Sequence, residues 1–201
     1  GSAKTEVLAL LAARGVQVID LEGLARHRGS LFGAMPGGQP SQKAFETALA
    51  LALARLDPTR PVVVEAESSK VGNCRLPPEL WKAMVAAPRV AISAPLAARA
   101  EYLVRAYGDL IAEEGRLARV IGQLQPMHAA EVIAGWQALV AAGEYRALAA
   151  ELMAQHYDPR YGKHRDRMAT NWRVVEAGPL DPVALGAVAD RVAAEVAALC
   201  P

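Results

Sequence analysis

The sequence predicts a three-layer α/β fold built around a parallel sheet. Apolar residues make up 53% of the 201-residue chain and aromatic residues only 5%. The apolar content is therefore mostly Ala, Val and Leu, which suits helices packed on a sheet. Short apolar segments alternate with longer helical patterns, as in β-α-β units with parallel strands. The length is sufficient for one α/β domain with its own core.

The first half of the chain contains two predicted strands. Gly15 is a natural stop for the first helical pattern, and Ser41 is placed to cap the next helix. Three consecutive β-branched residues at 62–64 indicate a strand that is buried on both faces. In chain order, the predicted elements are helix 6–14, strand 16–21, a Gly- and Pro-rich loop 23–40, helix 41–56 and strand 61–65.

The second half contains two further strands and a long helical insertion. Between residues 109 and 156 the pattern is helical, with breaks near residues 122–126 and at Gly143, and we find no strand pattern there. In chain order, the predicted elements are helix 77–87, strand 89–93, helix 95–107, the insertion 109–156, a basic loop 157–167, strand 171–176 and helix 182–199.

Charge and cysteine content narrow the class of protein. The net charge of +1 gives no overall field that would attract nucleic acid or a membrane, so any basic surface must be local. Cys74 and Cys200 have no metal-ligand spacing and suggest no disulfide framework. We see neither a signal-peptide pattern nor an uncharged apolar run of about 18 residues. We therefore expect a cytoplasmic protein without a membrane span.

The first five residues match the second half of a Walker A phosphate loop. Gly1-Ser2-Ala3-Lys4-Thr5 is followed by a helical pattern, so main-chain N–H groups and the positive end of a helix would face phosphate oxygens. We expect Gly1, Ser2 and Lys4 to contact phosphate and Thr5 to hold Mg²⁺. Ala3 replaces the last glycine of the pattern, which is unfavourable if the position requires a positive φ.

This match predicts a sheet of the P-loop NTPase type that lacks its first strand. The earlier glycine and the strand before it do not occur in the sequence. In P-loop folds that strand lies in the middle of the sheet, so its two neighbours would lose their shared partner. Unpaired buried main-chain groups cost about 1–3 kcal/mol each. We therefore expect the chain alone to be poorly stable.

Several longer segments carry a resemblance to one enzyme family. They are DLEGLARHRGS at 20–30, FG at 32–33, QPSQ at 39–42, FE at 45–46, VEAES at 64–68 with VG at 71–72, and HYDPRY at 156–161. In this order they resemble the phosphate-loop domain of bacterial selenophosphate-dependent tRNA 2-selenouridine synthases. The family also carries a rhodanese-like domain with a cysteine ahead of the phosphate loop, and we find no part of it in this sequence.

The resemblance implies a two-step modification of wobble 2-thiouridine in tRNA. Geranyl pyrophosphate first alkylates the sulfur, and selenium from selenophosphate then displaces the S-geranyl group to give 2-selenouridine. Both small donors carry phosphate, which gives a phosphate loop a task other than ATP hydrolysis. The expected partners are therefore tRNA, selenophosphate, geranyl pyrophosphate and the rhodanese-like domain.

The residues themselves suggest how a pyrophosphate leaving group would be stabilised. Lys4, the loop N–H groups and Mg²⁺ on Thr5 could neutralise its charge. Glu65 or Glu67, at the end of a strand, could orient the metal, although either could be a solvated loop acid. His27 and Arg28 follow another strand end, which is the ligand edge of an open parallel sheet. We expect them to be catalytic, the alternative being an ordinary polar loop.

Further polar residues are candidates for binding the substrate or RNA. The motif-bearing segments supply Glu22, Ser30, Gln39 and Gln42, although exposed amides are common and Glu22 could instead hold His27 and Arg28 in place. The basic loop interleaves cations with aromatic rings, a combination that suits an RNA backbone and an unstacked base. Its candidates are Tyr157, Arg160, Lys163 and Arg165, the alternative being a solvated loop.

Two other functions remain open on this reading. One is a small-molecule or nucleotide kinase, with arginines of the helical region as lid residues. The other is a non-catalytic tRNA-binding module. Phosphorylation of small acceptors by ATP would indicate the kinase, whereas tRNA binding without geranyl transfer would indicate the module.

Overall fold

The computed structural model of the chain describes residues 1–65, 68–165 and 172–199. The chain divides into two compact units. Within the described residues, the sheet unit comprises 3–65, 68–93, 172–177 and 182–199, and the helical unit comprises 1–2, 94–165 and 178–181. In the described part of the chain, no helix is both long and apolar enough to cross a membrane.

The sheet unit is a mixed α/β structure with short strands. Its elements are α1 (Lys4–Ala13), β1 (Gln17–Ile19), α2 (Leu21–Ala25), α3 (Gln42–Leu53), β2 (Val62–Val64), β3 (Lys70–Val71), β4 (Cys74–Arg75), α4 (Pro78–Ala86), β5 (Arg89–Ser93), β6 (Trp172–Glu176) and α11 (Pro182–Leu199). The four predicted strands are therefore confirmed as β1, β2, β5 and β6. The predicted cap of α3 is also confirmed, because the Ser41 hydroxyl accepts a hydrogen bond from the main-chain N–H of Ala44 at 3.2 Å.

The four longer strands form two parallel pairs rather than one continuous sheet. β1 pairs with β2, with Gln17 opposite Val62 and Ile19 opposite Val64. β5 pairs with β6 over five residues, from Arg89 opposite Trp172 to Ser93 opposite Glu176. The short antiparallel hairpin β3–β4 is an additional element that the sequence analysis did not predict.

A cavity of about 350 Å³ lies between β2 and β5, and among the described residues no further strand pairs with the edges that face it. It extends from Pro61 and Arg89, at the amino ends of these strands, to Glu65 and Ile92 at their carboxyl ends. Apolar side chains of α1 and α11 also line it, namely Val7, Leu8, Leu11, Val192, Val196 and Leu199. We call this cavity the strand slot, because it is as long as a strand and both of its sides are strand edges.

Two apolar groups hold the sheet unit together. One centres on Phe45 and Leu49 of α3, which are at most 1% exposed and pack with Leu21 of α2 and Val71 of β3. In the other, α1 packs against α11, and Arg14 donates to Asp190 at 2.6 Å and to the main-chain oxygen of Gly186 at 3.0 Å. The first group places helices against strands, as the Ala- and Leu-rich composition predicted, and the second packs one helix against another.

The helical unit contains no β-strand among its described residues, as predicted for the insertion. Its elements are α5 (Leu96–Ala106), α6 (Gly108–Ala112), α7 (Arg116–Gly122), a 3-10 turn (Gln125–Met127), α8 (Ala130–Ala141), α9 (Tyr145–Leu152), a π-helical segment (Met153–Tyr157) and α10 (Asp158–Arg165). Trp136 is 2% exposed and is therefore part of the core of this unit.

The prediction of a basic loop at 157–167 was wrong where the structure describes it. The π-helical segment leads directly into α10, and together they cover 153–165. Pro159 lies in the first turn of α10, where a missing N–H breaks no intrahelical hydrogen bond. The charged residues and Gly162 leave this segment without a helical spacing of apolar residues, which is why it was predicted as a loop. In the structure, α10 continues directly from the π-helical segment before it.

Candidate functional site

The amino terminus of α1 is preceded by a residue in the left-handed conformation. Ala3 precedes the helix with φ 56° and ψ 28°, in the left-handed region, and is 2% exposed. The glycine of the Walker pattern is replaced at a position that does adopt a positive φ, which costs an alanine about 1–2 kcal/mol. Lys4 and Thr5 follow in the first turn, where the main-chain N–H groups have no intrahelical partner.

Thr5 belongs to a chain of hydrogen bonds that ends at a buried carboxylate. Its hydroxyl donates to Glu22 Oε2 at 2.7 Å, and the main-chain N–H of Glu22 donates to Glu65 Oε1 at 2.7 Å. Glu65 directly follows β2 and is 4% exposed. Lys4 and Glu65 both line the strand slot. The site therefore combines a lysine, a hydroxyl and two carboxylates at the carboxyl edge of the β1–β2 pair.

The oxygen atoms of this site suit a hard divalent cation. Mg²⁺ is usually bound by one or two carboxylates together with water and substrate phosphates. Thr5, Glu22 and Glu65 provide a hydroxyl and two carboxylates within one hydrogen-bonded chain. Among the described residues there is no group of three or more His, Cys, Asp or Glu that could hold a metal by itself. A metal here would therefore need Thr5 and the phosphate of a ligand.

The other predicted metal residue cannot be placed. Glu67 lies outside the described residues, so its predicted role stays a prediction. Glu22 was predicted to bind substrate, and its hydrogen bond from Thr5 adds it to the candidate metal set. The sequence could have indicated this role, because Glu22 lies three residues after the carboxyl end of β1, where ligands bind in parallel sheets.

The loop that carries His27 and Arg28 begins next to Glu22. α2 is capped by Asp20, whose Oδ1 accepts from the N–H of Gly23 at 2.7 Å. The N–H of His27 then donates to the main-chain oxygen of Glu22 at 3.0 Å. Glu22 therefore connects the first turn of α1, through its carboxylate, to the start of this loop, through its main chain.

The loop itself is held by its own main chain. The N–H of Arg28 donates to the oxygen of Gly33 at 2.9 Å, and the N–H of Gly33 donates to the oxygen of Ser30 at 2.8 Å. A Cβ on Gly33 would lie 2.9 Å from that Ser30 oxygen, which explains the need for glycine. His27 Nδ1 accepts from the N–H of Gly29 at 3.2 Å, so a neutral His27 carries its proton on Nε2.

Gln39 and Gln42 use their amides to hold the β3–β4 hairpin. Gln39 Nε2 donates to the main-chain oxygens of Ala25 and Val71, both at 3.0 Å, and its Oε1 accepts from the N–H of Asn73 at 2.7 Å. Gln42 exchanges two hydrogen bonds with the main chain of Arg75, each 2.9 Å. These contacts favour a structural role for both amides over the predicted contact with substrate or RNA.

Cys74 is part of the core of the sheet unit. It is 1% exposed, and burial raises the pKa of its thiol. A raised pKa reduces the thiolate fraction, and the thiolate is the nucleophile. Cys74 is therefore a buried thiol of low reactivity. Cys200 lies outside the described residues.

The candidate RNA-binding residues lie in the helical unit. Tyr157 and Tyr161 stack with their ring centroids 6.3 Å apart, and Tyr161 is 50% exposed. Arg160 is exposed and donates to His156, the first residue of the HYDPRY segment, which was not among the predicted site residues. The side chains of Lys163 and Arg165 lie outside the described part of the structure. Gly1 and Ser2 also belong to the helical unit, and their predicted phosphate contacts stay a prediction.

Comparisons with known proteins agree on one family. Residues 1–124 match the model of the tRNA 2-selenouridine synthase AAA domain. A protein named tRNA 2-selenouridine synthase from Alcanivorax borkumensis is 34% identical over 84% of this chain and 53% of its own length. One of the same name from Verminephrobacter eiseniae is 33% identical over 91% of this chain and 56% of its own length.

A third relative matches a shorter region more closely. The protein of this name from Aeromonas salmonicida is 45% identical over 53% of this chain and 28% of its own length. In the alignments with the relatives from Alcanivorax borkumensis and Verminephrobacter eiseniae, the chain spans about half the length of these curated proteins. No solved structure matches the chain.

Proposed function

Because the chain belongs to the tRNA 2-selenouridine synthase family, we propose that it binds the phosphate-bearing donors of a tRNA-modifying transferase. The transferase converts wobble 2-thiouridine to 2-selenouridine through an S-geranyl intermediate, in the cytoplasm, with geranyl pyrophosphate and selenophosphate as donors. The catalytic cysteine of the rhodanese-like domain would lie outside this chain.

The observation that carries this proposal is the hydrogen-bonded chain from Thr5 through Glu22 to Glu65, beside Lys4. It joins the amino terminus of a helix to the carboxyl end of a strand. A lysine and main-chain N–H groups at a helix start attract phosphate. The P-loop fold that the family implies places its phosphate site at this type of edge.

In the first step, the sulfur of 2-thiouridine attacks C1 of geranyl pyrophosphate. The new C–S bond forms as the C1–O bond breaks, and pyrophosphate leaves with the bonding electrons. Lys4 and the first-turn N–H groups of α1 stabilise the negative charge on the leaving group. Thr5, Glu22 and Glu65 would hold a Mg²⁺ ion, which supplies additional charge neutralisation. His27 and Arg28, at the same edge, bind and orient the donor.

In the second step, selenium from selenophosphate replaces the S-geranyl group. The selenium of selenophosphate attacks C2 of the base, and geranyl thiolate leaves with the electrons of the C2–S bond. Water then cleaves the Se–P bond, so that selenium stays on C2 and phosphate is released. The same lysine and N–H groups suit the phosphate of this donor. One phosphate site would then bind both donors in turn, and neither of the two steps requires hydrolysis of a nucleoside triphosphate.

A nucleoside assay tests the proposal. The protein is incubated with tRNA that contains 2-thiouridine and with geranyl pyrophosphate and Mg²⁺, and the digested nucleosides are analysed by mass spectrometry. We expect Lys4→Ala to lower the rate of S-geranyl formation by about 100-fold, as for loss of one transition-state donor. Lys43→Ala, at an exposed position of α3, is the matched control and should retain the wild-type rate.

The opposite results exclude the proposal. Equal rates for Lys4→Ala and Lys43→Ala would show that Lys4 does not face the leaving group. Phosphorylation of a small acceptor by ATP, without S-geranyl formation, would assign the chain to the kinase class instead.

A further inference from the structure

The helical unit contains a buried histidine at the centre of a polar cluster. His156 is 5% exposed and lies in the π-helical segment. Its Nδ1 lies 2.8 Å from Nε2 of His128 and 2.9 Å from Nη1 of Arg160. Single π-helical turns within α-helices occur frequently at functional sites. The proposed donor chemistry uses none of these three residues.

The proton positions in the cluster follow from its geometry. An arginine guanidinium only donates hydrogen bonds, so His156 Nδ1 must be an unprotonated acceptor. The Nε2 of His128 faces the same lone pair and is therefore also a donor. Burial, followed by the nearby Arg160 and His128, lowers the pKa of His156 to about 4, which agrees with this neutral form. Both rings thus have a fixed tautomer.

Arg160 is exposed and at the same time fixed in place. Its Nη1 donates to the ring and also to the main-chain oxygen of His156 at 3.0 Å, and its Nη2 lies 3.3 Å from the sulfur of Met127. An arginine that the protein already orders loses less conformational freedom when it binds a ligand. Such a guanidinium is well suited to hold an oxyanion.

The charge of Arg160 is not neutralised within the described part of the chain. Asp158, two residues earlier, is bound by both terminal nitrogens of Arg99, at 3.0 and 2.6 Å. Among the described residues, no carboxylate forms an ion pair with Arg160. Within the described ranges, the charge of Arg160 therefore has no carboxylate partner.

Aromatic rings lie on the same helical segment as this cation. Tyr161, half exposed, follows Arg160 in α10 and stacks with Tyr157, and the ring of Tyr157 packs edge-on against His156 at 4.7 Å. A fixed cation beside an exposed ring can hold a phosphate and the neighbouring base of a single-stranded nucleic acid. A small free anion would not need the rings.

We propose that Arg160 binds a phosphate of the RNA substrate, that Tyr161 stacks on an adjacent unpaired base, and that His156, to which His128 donates a hydrogen bond, is the positioning residue for Arg160. This inference rests on the proposed tRNA substrate and assigns part of its binding to the helical unit. It adds His128 and His156 to the site residues predicted from the sequence.

Titration of labelled tRNA by fluorescence anisotropy, at several salt concentrations, tests the assignment. We expect Arg160→Gln to weaken binding about tenfold at low salt and to reduce the slope of log K against log salt by about one. Arg146→Gln is the matched control, because it removes the same charge from a 72% exposed side chain of the same unit. It should bind within about twofold of wild type.

Two variants of His156 separate positioning from folding. His156→Gln keeps an acceptor near Arg160 and should bind tRNA almost as wild type does, whereas His156→Leu should weaken binding about fivefold. Circular dichroism checks that both variants are folded. In nitrogen-15 NMR spectra, the side-chain signal of Arg160 should show slow hydrogen exchange in wild type and His156→Gln, and fast exchange in His156→Leu.

Three outcomes would overturn the inference. The first is equal tRNA binding by Arg160→Gln and Arg146→Gln. The second is binding of inorganic pyrophosphate that depends on Arg160 while tRNA binding does not, which would assign the cluster to a small anion. The third is no tRNA binding by wild type, which also contradicts the proposed function. If only the proposed donor chemistry were wrong, the result would be different. The protein would form no S-geranyl product, but its tRNA binding would still depend on Arg160.

Discussion

Arg26 adopts a main-chain conformation that is unfavourable for a residue with a Cβ. It ends α2 in the left-handed region, with φ 48° and ψ 49°, and its side chain is exposed. This conformation costs a residue with a Cβ about 1–2 kcal/mol, and glycine adopts it freely. The loop to His27 therefore starts from a strained residue.

We expect Arg26→Gly to raise the free energy of unfolding by about 0.5–1 kcal/mol, since part of the relieved strain is offset by the greater freedom of glycine in the unfolded chain. Urea denaturation measures the change. Arg55→Gly is the control: Arg55 is exposed but has no positive φ, so the same substitution should be destabilising. Destabilisation by both substitutions would contradict the strain argument.

Much of the candidate site could be predicted at the residue scale. Lys4, Thr5 and Glu65 follow from a short pattern and a strand end, and Ala3 adopts the positive φ that the missing glycine implies. The roles of Gln39 and Gln42 could not be predicted, because each amide binds main chain about 30 residues away in the sequence. Sequence alone does not show whether a polar side chain is solvated or forms hydrogen bonds with the main chain of a distant residue.

The π-helical segment has a measurable consequence at the scale of one element. His156 has a pKa of about 4 in the folded protein, against 6.5 as its ordinary value, mainly because burial disfavours the charged ring. The unfolded chain therefore binds a proton between pH 6.5 and 4 that the folded chain does not bind. The stabilising effect of the neutral ring is complete above pH 6.5 and is lost as the pH falls towards 4.

We expect wild type to lose on the order of 1–3 kcal/mol more stability than His156→Gln between pH 7 and pH 4.5. Urea denaturation at several pH values compares the two proteins, and carboxylates that titrate at low pH affect both equally. An identical pH dependence for the two would show that His156 is not held in its neutral form.

Elements with clear periodicity were predictable and the shortest ones were not. β2 and β5 carry consecutive apolar residues, whereas β3 and β4 have only two residues each, too few to show an alternation. α10 was predicted as a loop because its composition is polar, yet its start in Asp158 and Pro159 is favourable for a first helical turn. For α10, the residues that favour the start of a helix therefore predict the secondary structure better than the polar composition of the segment does.

At the scale of the whole molecule, the strand slot separates the two parallel strand pairs. The edges of β2 and β5 face a cavity of about 350 Å³ whose remaining walls are largely apolar. All five residues of β5 are only half buried, and Val62 of β2 is 37% exposed, although both strands have core composition. The mixed α/β class could be predicted, since apolar strand segments alternate with helical patterns along the sequence.

We predict that this chain alone unfolds at low temperature with weak cooperativity, because unpaired main-chain groups and apolar surface line the slot. Calorimetry should give a van't Hoff enthalpy below the calorimetric one. In hydrogen exchange, the amides of β5 that face the slot should exchange faster than those bonded to β6. A single cooperative transition at high temperature would contradict this prediction.

The central claim is that Lys4, Thr5, Glu22 and Glu65 form one phosphate and magnesium site. Calorimetric titration of inorganic pyrophosphate, with and without Mg²⁺, tests it most directly. Glu65→Gln keeps an oxygen that can accept from the N–H of Glu22 but removes the charge. The account predicts that Mg²⁺ strengthens binding to wild type, that Glu65→Gln loses most of this gain, and that Lys4→Ala binds at least about tenfold more weakly in either condition. Equal affinity of wild type, Lys4→Ala and Glu65→Gln, with or without Mg²⁺, would contradict it.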